Sequence, residues 1–243
     1  MHQATSRSGV FVVLKIIRDS DERRLLEYLN DIKTPLNHTI PLLEVIDLSI
    51  GKMVIVLPWK LPLDEALRFH GRRDDAEFLC TQFIEGVAFL HQHKVAHCDI
   101  KPGNVVVDTK LESKTSPRLY IIDFDIAQFV ESEETMTEGW CGTPPWIAPE
   151  LGSRDGPIQR YSPILADRWA CGRMIQYFEN YIPTHVNKQH LLAVSRQLLS
   201  VNPRARPPLN QLRAIDGPTK RGQAKSQDEP VRKRDWCILP NFA

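Results

Sequence analysis

The stretch that decides the fold reads KVAHCDIKPGNVVVD and covers residues 94–108. Three polar side chains, Asp99, Lys101 and Asn104, lie within six residues, and a run of three valines follows them directly. Such a run of β-branched residues is typical of a strand. The sequence therefore places a carboxylate, an ammonium group and an amide on one short turn at the entrance to a strand.

A second strand is expected to return the chain to this turn. Residues 116–129, SPRLYIIDFDIAQF, are again strand-like, and Asp123 lies nineteen positions beyond Asn104. If the two strands pair, Asp123 lies beside Asn104, and carboxylate and amide oxygens suit a hard cation such as Mg²⁺. Asp99 can then receive a proton from an attacking hydroxyl, and Lys101 can place positive charge beside a phosphoryl group. These are the groups that phosphoryl transfer requires.

Three motifs in this order resemble the catalytic half of the eukaryotic protein kinase family. CDIKPGN (98–104) resembles the catalytic loop, DFD (123–125) the metal-binding triplet, and APE (148–150) the end of the activation segment. The resemblance covers about residues 10–215, and the form GTPPWIAPE with Lys101 resembles the serine/threonine branch. It implies an α+β, protein-kinase-like, two-lobed fold with a small, reduced β-sheet N-lobe and a mainly helical C-lobe.

The resemblance also implies a role for each matching position. Asp99 would be the catalytic base, Lys101 the cation that contacts the phosphate, and Asn104 and Asp123 the Mg²⁺ ligands. The positions that would bind ATP are Lys15, its helix partner Glu22, Leu57 behind the adenine and Lys60 in the hinge. The positions that would brace the loop, the substrate site and the large lobe are Thr143, Asp167 and the ion pair of Glu150 with Arg206.

Two of these positions have alternatives in the sequence itself. A lysine in a strand is usually an edge residue with its amine in water, so Lys15 depends on the resemblance for its role. Glu22 lies where an acidic residue is favoured at the start of any helix, and Glu27 is the second candidate for the partner of Lys15. His97 is expected to be a packed, hydrogen-bonded residue that takes no part in catalysis.

Hydrophobic periodicity predicts the following elements. Strands are expected over 9–17 and 116–129, and two strands over 41–59, joined by a turn at Gly51. Helices are expected over 19–32, 74–94, 165–182 and 188–199, with a short one over the segment DEALRF and a last one within 202–215. The domain would cover residues 1–216, with the N-lobe ending near 59. Residues 217–243 carry a basic stretch and are expected to be disordered.

The N-terminal part departs from the family pattern in two ways. Only fourteen residues precede Lys15, and they include no GxGxxG loop to cover the phosphates of ATP. We therefore expect weaker ATP binding and an exposed apolar sheet edge at VFVVL (10–14). Lys15 and Glu22 are only seven residues apart, and a small, loosely held N-lobe is expected from so short a connection.

Two further departures concern the catalytic loop and the activation segment. Cys98 replaces the arginine that would pair with a phosphate on the activation segment, so activity is not expected to depend on phosphorylation of Thr135 or Thr137. Asp125 replaces the glycine of the metal-binding triplet, and its side chain restricts the backbone there.

Composition excludes several other classes of protein. The 243 residues carry a net charge of only +1, and 42% of them are hydrophobic. The five cysteines are scattered without a CxxC pair, which argues against a disulfide framework or a zinc site. Neither a signal-peptide layout nor an apolar run long enough to span a bilayer is present. An intracellular protein, cytoplasmic or nuclear, without a membrane or nucleic-acid partner is expected.

Three functional hypotheses follow. The first is a serine/threonine protein kinase that uses ATP and Mg²⁺ and acts on a protein substrate. The second is a pseudokinase, a non-catalytic binding or scaffold module, because the glycine-rich loop is missing. The third, a nucleic-acid binder acting through the basic stretch, has no support from the rest of the sequence.

Overall fold

The small lobe is built from one antiparallel sheet and one helix. The computed structural model describes residues 2–6, 9–18, 21–48, 51–69, 75–108, 116–212 and 236–237. The strands of the sheet are β1 (His2–Ser6), β2 (Phe11–Arg18), β3 (Glu44–Leu48), β4 (Lys52–Pro58) and β12 (Trp236–Cys237). They lie in the order β12-β1-β2-β4-β3.

Strand β1 was not predicted, and it corrects one expectation from the sequence. Its sequence, HQATS, lacks apolar alternation, but it pairs antiparallel with β2, and Gln3 lies opposite Val13. On its other side β2 pairs with β4 from Val12 to Arg18. The stretch VFVVL therefore lies in an interior strand, and the expectation that it forms an exposed sheet edge was wrong.

Helix α1 (Asp21–Asp31) begins three residues after β2 and packs against the sheet. Leu25, Leu26 and Leu29 recur at the spacing of one helix face, and each is at most 1% exposed. They belong to the same core cluster as Ile55 of β4 and Phe124 of the large lobe. This packing speaks against the expectation of a loosely held lobe.

The large lobe is mainly helical, as the resemblance implies. Its helices are α2 (Leu63–Phe69), α3 (Ala76–Gln92), α4 (Pro163–Glu179) and α5 (Gln189–Leu198). Its short strands are β5 (Leu61–Pro62), β6 (Val95–Ala96), β7 (Val105–Asp108), β8 (Arg118–Ile121), β9 (Gln128–Phe129), β10 (Thr137–Gly139) and β11 (Gln159–Tyr161). They form a three-stranded sheet in the order β5-β7-β8 and two antiparallel pairs, β6 with β9 and β10 with β11.

The hairpin of β7 and β8 sets the position of the polar turn. Val105 lies opposite Ile121, and the amide of Ile122 donates a hydrogen bond of 3.0 Å to the carbonyl of Asn104. Asp123 follows directly, so the predicted return of the second strand to the turn is confirmed. The predicted strand over 116–129 is interrupted, because a turn separates β8 from β9.

Two predictions near the C-terminal end have different outcomes. The helix expected within 202–215 is replaced, as far as residue 212, by 3₁₀ turns at Pro203–Ala205 and Leu209–Gln211, because prolines interrupt this stretch. Of the predicted disordered segment 217–243, the structure describes only Trp236 and Cys237, which form β12. The rest of that prediction lies outside the described residues.

The packing of α1 generates a stability prediction. We expect Leu25→Ala to lower the free energy of unfolding by about 2–5 kcal/mol, because the removed atoms are fully buried. Arg24→Ala is the matched control, since the neighbouring side chain is 79% exposed, and its change is expected to stay within about 0.5 kcal/mol. Denaturant unfolding checks both. Equal stability of the two variants would contradict the packing of this helix.

Candidate active site

The polar turn after β6 brings the predicted catalytic groups together. Lys101 Nζ lies 2.6 Å from Asp99 Oδ2 and 2.8 Å from Thr143 Oγ1. The hydroxyl of Thr143 donates to the other oxygen, Asp99 Oδ1, at 2.8 Å. Asp99 and Lys101 are adjacent on the turn, whereas Thr143 comes from the GTPPW stretch more than forty residues on. The three side chains fix one another, with the carboxylate of Asp99 at their centre.

Asn104 anchors the other end of the turn. Its side-chain amide donates to the Asp99 carbonyl at 2.9 Å and to Asp99 Oδ2 at 3.2 Å. Asn104 is 5% exposed. Because both of these bonds use its NH₂ group, the Asn104 side-chain oxygen is held in a fixed orientation by the same contacts that position Asp99.

The backbone of this turn is held in an unfavourable conformation by Asp167. Cys98 has a φ of 65°, in the left-handed region that costs a non-glycine residue of the order of 1–3 kcal/mol. The buried carboxylate of Asp167, on α4, accepts hydrogen bonds from the amides of His97 at 2.7 Å and Cys98 at 2.9 Å. These charge-assisted bonds offset the backbone strain immediately before Asp99.

His97 joins the turn to the DFD triplet. Its Nδ1 accepts from the amide of Asp99 at 3.3 Å, so Nε2 carries the proton that is donated to the carbonyl of Ile122 at 3.0 Å. The ring packs against Phe124, with centroids 5.0 Å apart. His97 is fully buried, in keeping with the structural role predicted for it.

Lys15 connects the small lobe to the triplet. Its Nζ lies 2.7 Å from Glu22 Oε1 and 2.7 Å from Asp123 Oδ1. Burial lowers the pKa of Lys15, but the hydrogen bonds and charges of Asp123 and Glu22 outweigh it, so the pKa is raised and the amine stays charged. Burial raises the pKa of the Glu22 carboxyl, and Lys15 opposes that shift. Glu27 instead pairs with Arg23 on the surface, at 2.9 Å.

An apolar cleft lies beside Lys15, between the two lobes. It encloses about 510 Å³, including its open mouth. Apolar walls beside a few charged groups suit a ligand with a flat, weakly polar part and a charged part. The side chains that form most of its apolar lining are Val13, Leu26, Ile40, Leu57, Val106 and Phe124.

Lys60 lines this cleft, but its ammonium group has a partner of its own. Nζ lies 2.8 Å from Asp108 Oδ2 and 5.5 Å from the centre of the Tyr120 ring. The pairing of β5 with β7 places Leu61 opposite Val107, and this register brings Lys60 to Asp108. This partner was not predicted from the sequence, because only the strand pairing reveals it.

The other predicted bracing pair is also formed. Arg206 donates to both carboxylate oxygens of Glu150, at 2.6 and 2.7 Å, and its side chain is fully buried. It also donates to the carbonyls of Ser200 and Leu165 and lies over the Trp169 ring, 5.1 Å from its centre. All three guanidinium nitrogens of this buried cation therefore donate hydrogen bonds. Because Arg206 binds both Glu150 and the carbonyl of Leu165, it fixes the APE stretch to α4.

Cys98 is a neutral, buried thiol in this setting. Its side chain accepts a hydrogen bond from Gln128 Nε2 at 3.3 Å. Hydrogen bonding with Cys141, together with burial, raises the pKa of the Cys98 thiol. No positive charge is therefore provided by the position just before Asp99, where the resemblance leads one to expect an arginine.

The described part of the chain contains neither a membrane-spanning helix nor a cluster of metal-binding side chains. None of its helices is long and apolar enough to cross a lipid bilayer. Within the same residues, no cluster of three or more histidine, cysteine, aspartate or glutamate side chains is arranged to hold a metal ion. A cation at Asn104 and Asp123 would therefore need further oxygen ligands, such as those of phosphate groups or water.

A family model and several known proteins match this chain. A family model described as "Protein kinase domain" matches residues 9–214. CBL-interacting protein kinase 8 of Oryza sativa subsp. japonica is 34% identical over 123 residues, which are 49% of this chain and 25% of that protein. Serine/threonine-protein kinase 17A of Oryctolagus cuniculus is 38% identical over 98 residues, 40% of this chain and 22% of that protein.

Serine/threonine-protein kinase SAPK5 of Oryza sativa subsp. japonica is 37% identical over 110 residues, 44% of this chain and 26% of that protein. The matched part thus spans about a quarter of each of these curated relatives. The family model, in contrast, covers most of this chain, including the turn at Asp99, the triplet at Asp123 and the pair of Glu150 with Arg206. The chain belongs to the protein kinase family.

Proposed function

We propose that this protein transfers the γ-phosphoryl group of ATP to serine or threonine hydroxyls of a protein substrate. The observation that carries the proposal is the network that joins Asp99, Lys101 and Thr143 beside the contact of Lys15 with Asp123. The serine/threonine class is supported by the names of two relatives and by the GTPPWIAPE stretch. An intracellular location suits such a reaction.

Asp99 is proposed to receive the proton of the attacking hydroxyl. The hydroxyl oxygen forms a bond to the γ-phosphorus, the bond from that phosphorus to the β–γ bridging oxygen breaks, and ADP leaves with the electron pair. Thr143 and Lys101 orient the Asp99 carboxylate through bonds of 2.8 and 2.6 Å. Lys101 also supplies positive charge next to the transferred group, where negative charge must be stabilised.

Lys15 is proposed to bind the ATP phosphates, and the cleft beside it to take the adenine. The Lys15 amine is held by two carboxylates, so it is charged and oriented before a nucleotide arrives. Leu57 and Val106 offer apolar surface to a base, whereas the ammonium of Lys60 is already paired with Asp108. The contribution of Lys60 to ATP binding is therefore proposed to come from its aliphatic stem.

Asn104 and Asp123 are proposed to hold Mg²⁺ with the ATP phosphates. Both offer oxygen donors of the kind that Mg²⁺ prefers, and the hydrogen bond from the Ile122 amide to the Asn104 carbonyl keeps them close together. When bound, the cation would neutralise phosphate charge. The residues of this chain would hold it between the turn and the triplet.

A second candidate function is supported by one observation in the sequence. The residues ahead of Lys15 contain no GxGxxG motif, so the backbone donors that such a loop offers to phosphates are missing from this sequence. A protein that folds as a kinase but binds nucleotide weakly would act as a scaffold. The network around Asp99 favours the enzyme, since a scaffold has no need for an oriented carboxylate.

The first test is phosphate transfer from labelled ATP, with Mg²⁺, to the protein itself and to generic serine/threonine substrates. We expect Asp123→Asn to lower the transfer rate by about 10²-fold or more, because the proposed metal ligand and the partner of Lys15 lose their charge. Asp155→Asn removes an exposed carboxylate elsewhere and is expected to change nothing. Thermal unfolding of both variants controls for folding.

The alternative predicts a different pattern in the same assay. If neither the parent nor Asp155→Asn transfers phosphate although both are folded, the enzyme proposal fails. A rise in melting temperature with ATP would then identify a nucleotide-binding pseudokinase. Equal transfer by the parent and Asp123→Asn would remove Asp123 from the proposed site.

A second prediction concerns phosphorylation. Because the neutral Cys98 offers no cation to a phosphate, we expect Thr135→Ala and Thr137→Ala to transfer phosphate within about twofold of the parent rate. Initial rates check this, with mass spectrometry recording the phosphate content of each protein. Loss of activity in either variant at an unchanged melting temperature would contradict it.

A further inference from the structure

A charged stretch of the activation segment lies against the N-terminal part of α4. This stretch, residues 131–139, is called the acidic segment here, and it contains four glutamates, Glu131, Glu133, Glu134 and Glu138. Arg168 follows Asp167 on α4, and its side chain is only 5% exposed. A buried guanidinium needs a charged or well hydrogen-bonded partner, since an unpaired buried charge is strongly unfavourable.

Arg168 finds that partner in the acidic segment. Its Nη2 donates to Glu133 Oε2, and its Nη1 donates to the carbonyl of Arg206 at 3.0 Å. Arg206 in turn forms the buried bidentate pair with Glu150. A single guanidinium thus connects the acidic segment to the residue that fixes the APE stretch.

The backbone of Glu133 is held at the same place. Its carbonyl accepts a hydrogen bond of 2.6 Å from the hydroxyl of Ser162. Ser162 is the N-cap of α4, where its hydroxyl also accepts from the amide of Leu165 at 3.3 Å. The main chain and the side chain of Glu133 are therefore both attached to the first turns of α4.

The rest of the turn is closed by its own side chains. The amide of Ser132 donates to Thr135 Oγ1 at 3.1 Å, and the amide of Glu134 donates to Ser132 Oγ at 3.2 Å. The Glu134 carboxylate lies 3.3 Å from Arg204 Nη2, in an exposed pair that adds little stability. The contact of Glu133 with Arg168 is the stronger attachment of this turn, because the Arg168 side chain is only 5% exposed although that of Glu133 is 46% exposed.

We propose that Glu133 and Arg168 form an ionic clamp that fixes the activation segment without phosphorylation. The proposal deepens the proposed function, on which it rests, by assigning its regulation. Arg168 is a positioning residue, because it acts through the segment and does not touch the reacting groups. The neighbouring Asp167 holds the backbone of Cys98, so the segment and the catalytic turn are fixed by adjacent residues of one helix.

The charge of the segment supports this form of regulation. A phosphate on Ser132 or Thr135 would add about two negative charges to the turn that carries Glu133 and Glu134, and it would repel their carboxylates. The clamp uses the carboxylate of Glu133, which is present without any modification of the protein. The segment is therefore expected to be ordered in the unmodified protein, and phosphorylation there is expected to loosen it.

The experiment compares Glu133→Gln with Glu138→Gln in the full chain. Glu138 is the matched control, since it lies in the same segment and pairs with Arg160 at 3.4 Å on the exposed surface. Hydrogen exchange over residues 131–139 and phosphate transfer are both measured. We expect Glu133→Gln to raise exchange and to lower kcat about tenfold, with the KM for ATP changed less than about twofold, while Glu138→Gln matches the parent.

Arg168 variants separate positioning from folding. Arg168→Lys keeps the charge and is expected to retain more of the parent kcat and exchange protection than Arg168→Met. The double variant Glu133→Gln with Arg168→Met should lose no more than Arg168→Met alone, because the two groups act as a pair. Melting temperatures identify any variant that is unfolded. If the Arg168 variants do not fold, the comparison of Glu133→Gln with Glu138→Gln alone tests the clamp.

The two proposals can fail separately. If the parent transfers no phosphate, the proposed function fails, and hydrogen exchange still decides whether the clamp exists. If Glu133→Gln and Glu138→Gln give the same exchange over the acidic segment, the clamp is overturned, whatever the activity. Raised exchange with an unchanged kcat would overturn the regulatory role of the clamp.

Discussion

The two hydrogen bonds from the backbone to the buried carboxylate of Asp167 are the constraint on which the site depends. They hold Cys98 at a φ of 65°, a conformation that a non-glycine residue does not adopt without compensation. This bend directs the Asp99 side chain towards Lys101 and Thr143. The backbone strain next to Asp99 is therefore offset by hydrogen bonds to Asp167 of α4, a helix that carries none of the proposed reacting groups. Such rigid support keeps charged groups oriented before a reaction begins.

Lys15 extends this constraint to the small lobe. Its amine binds Glu22 of α1 and Asp123 of the triplet, so one cation links the sheet, the helix and the large lobe. Asp123 itself has a φ of 67°, again in the left-handed region. Lys15 and Asp123 are thus oriented by opposite charges before the nucleotide binds, and the two strained backbone positions, Cys98 and Asp123, both belong to the large lobe.

Local patterns in the sequence predicted most of the helices and the turn at Asp99, because apolar periodicity and turn residues are local signals. The strand pattern also predicted the return of Asp123 to the turn, whereas other long-range partners were predicted only where the family resemblance supplied them, as for Glu150 with Arg206. The pairs of Lys60 with Asp108 and of Arg168 with Glu133 were missed, since they depend on strand register and on the path of a loop. Strand β1 was missed because HQATS shows no alternation of apolar and polar residues. Its extended conformation comes from its pairing with β2.

The position of β2 in its sheet helps to fix Lys15. β2 is paired on one side with β1 and on the other with β4, and β12 pairs with β1 beyond it. The pairing with β1 extends from Phe11 to Leu14, and Lys15 lies opposite Ile55 of β4. Successive side chains of a strand point to opposite faces of its sheet. Val13, Lys15 and Ile17 alternate onto the face towards the core and the cleft. The direction of the Lys15 side chain is therefore set by the strand and by the two carboxylates that bind its amine.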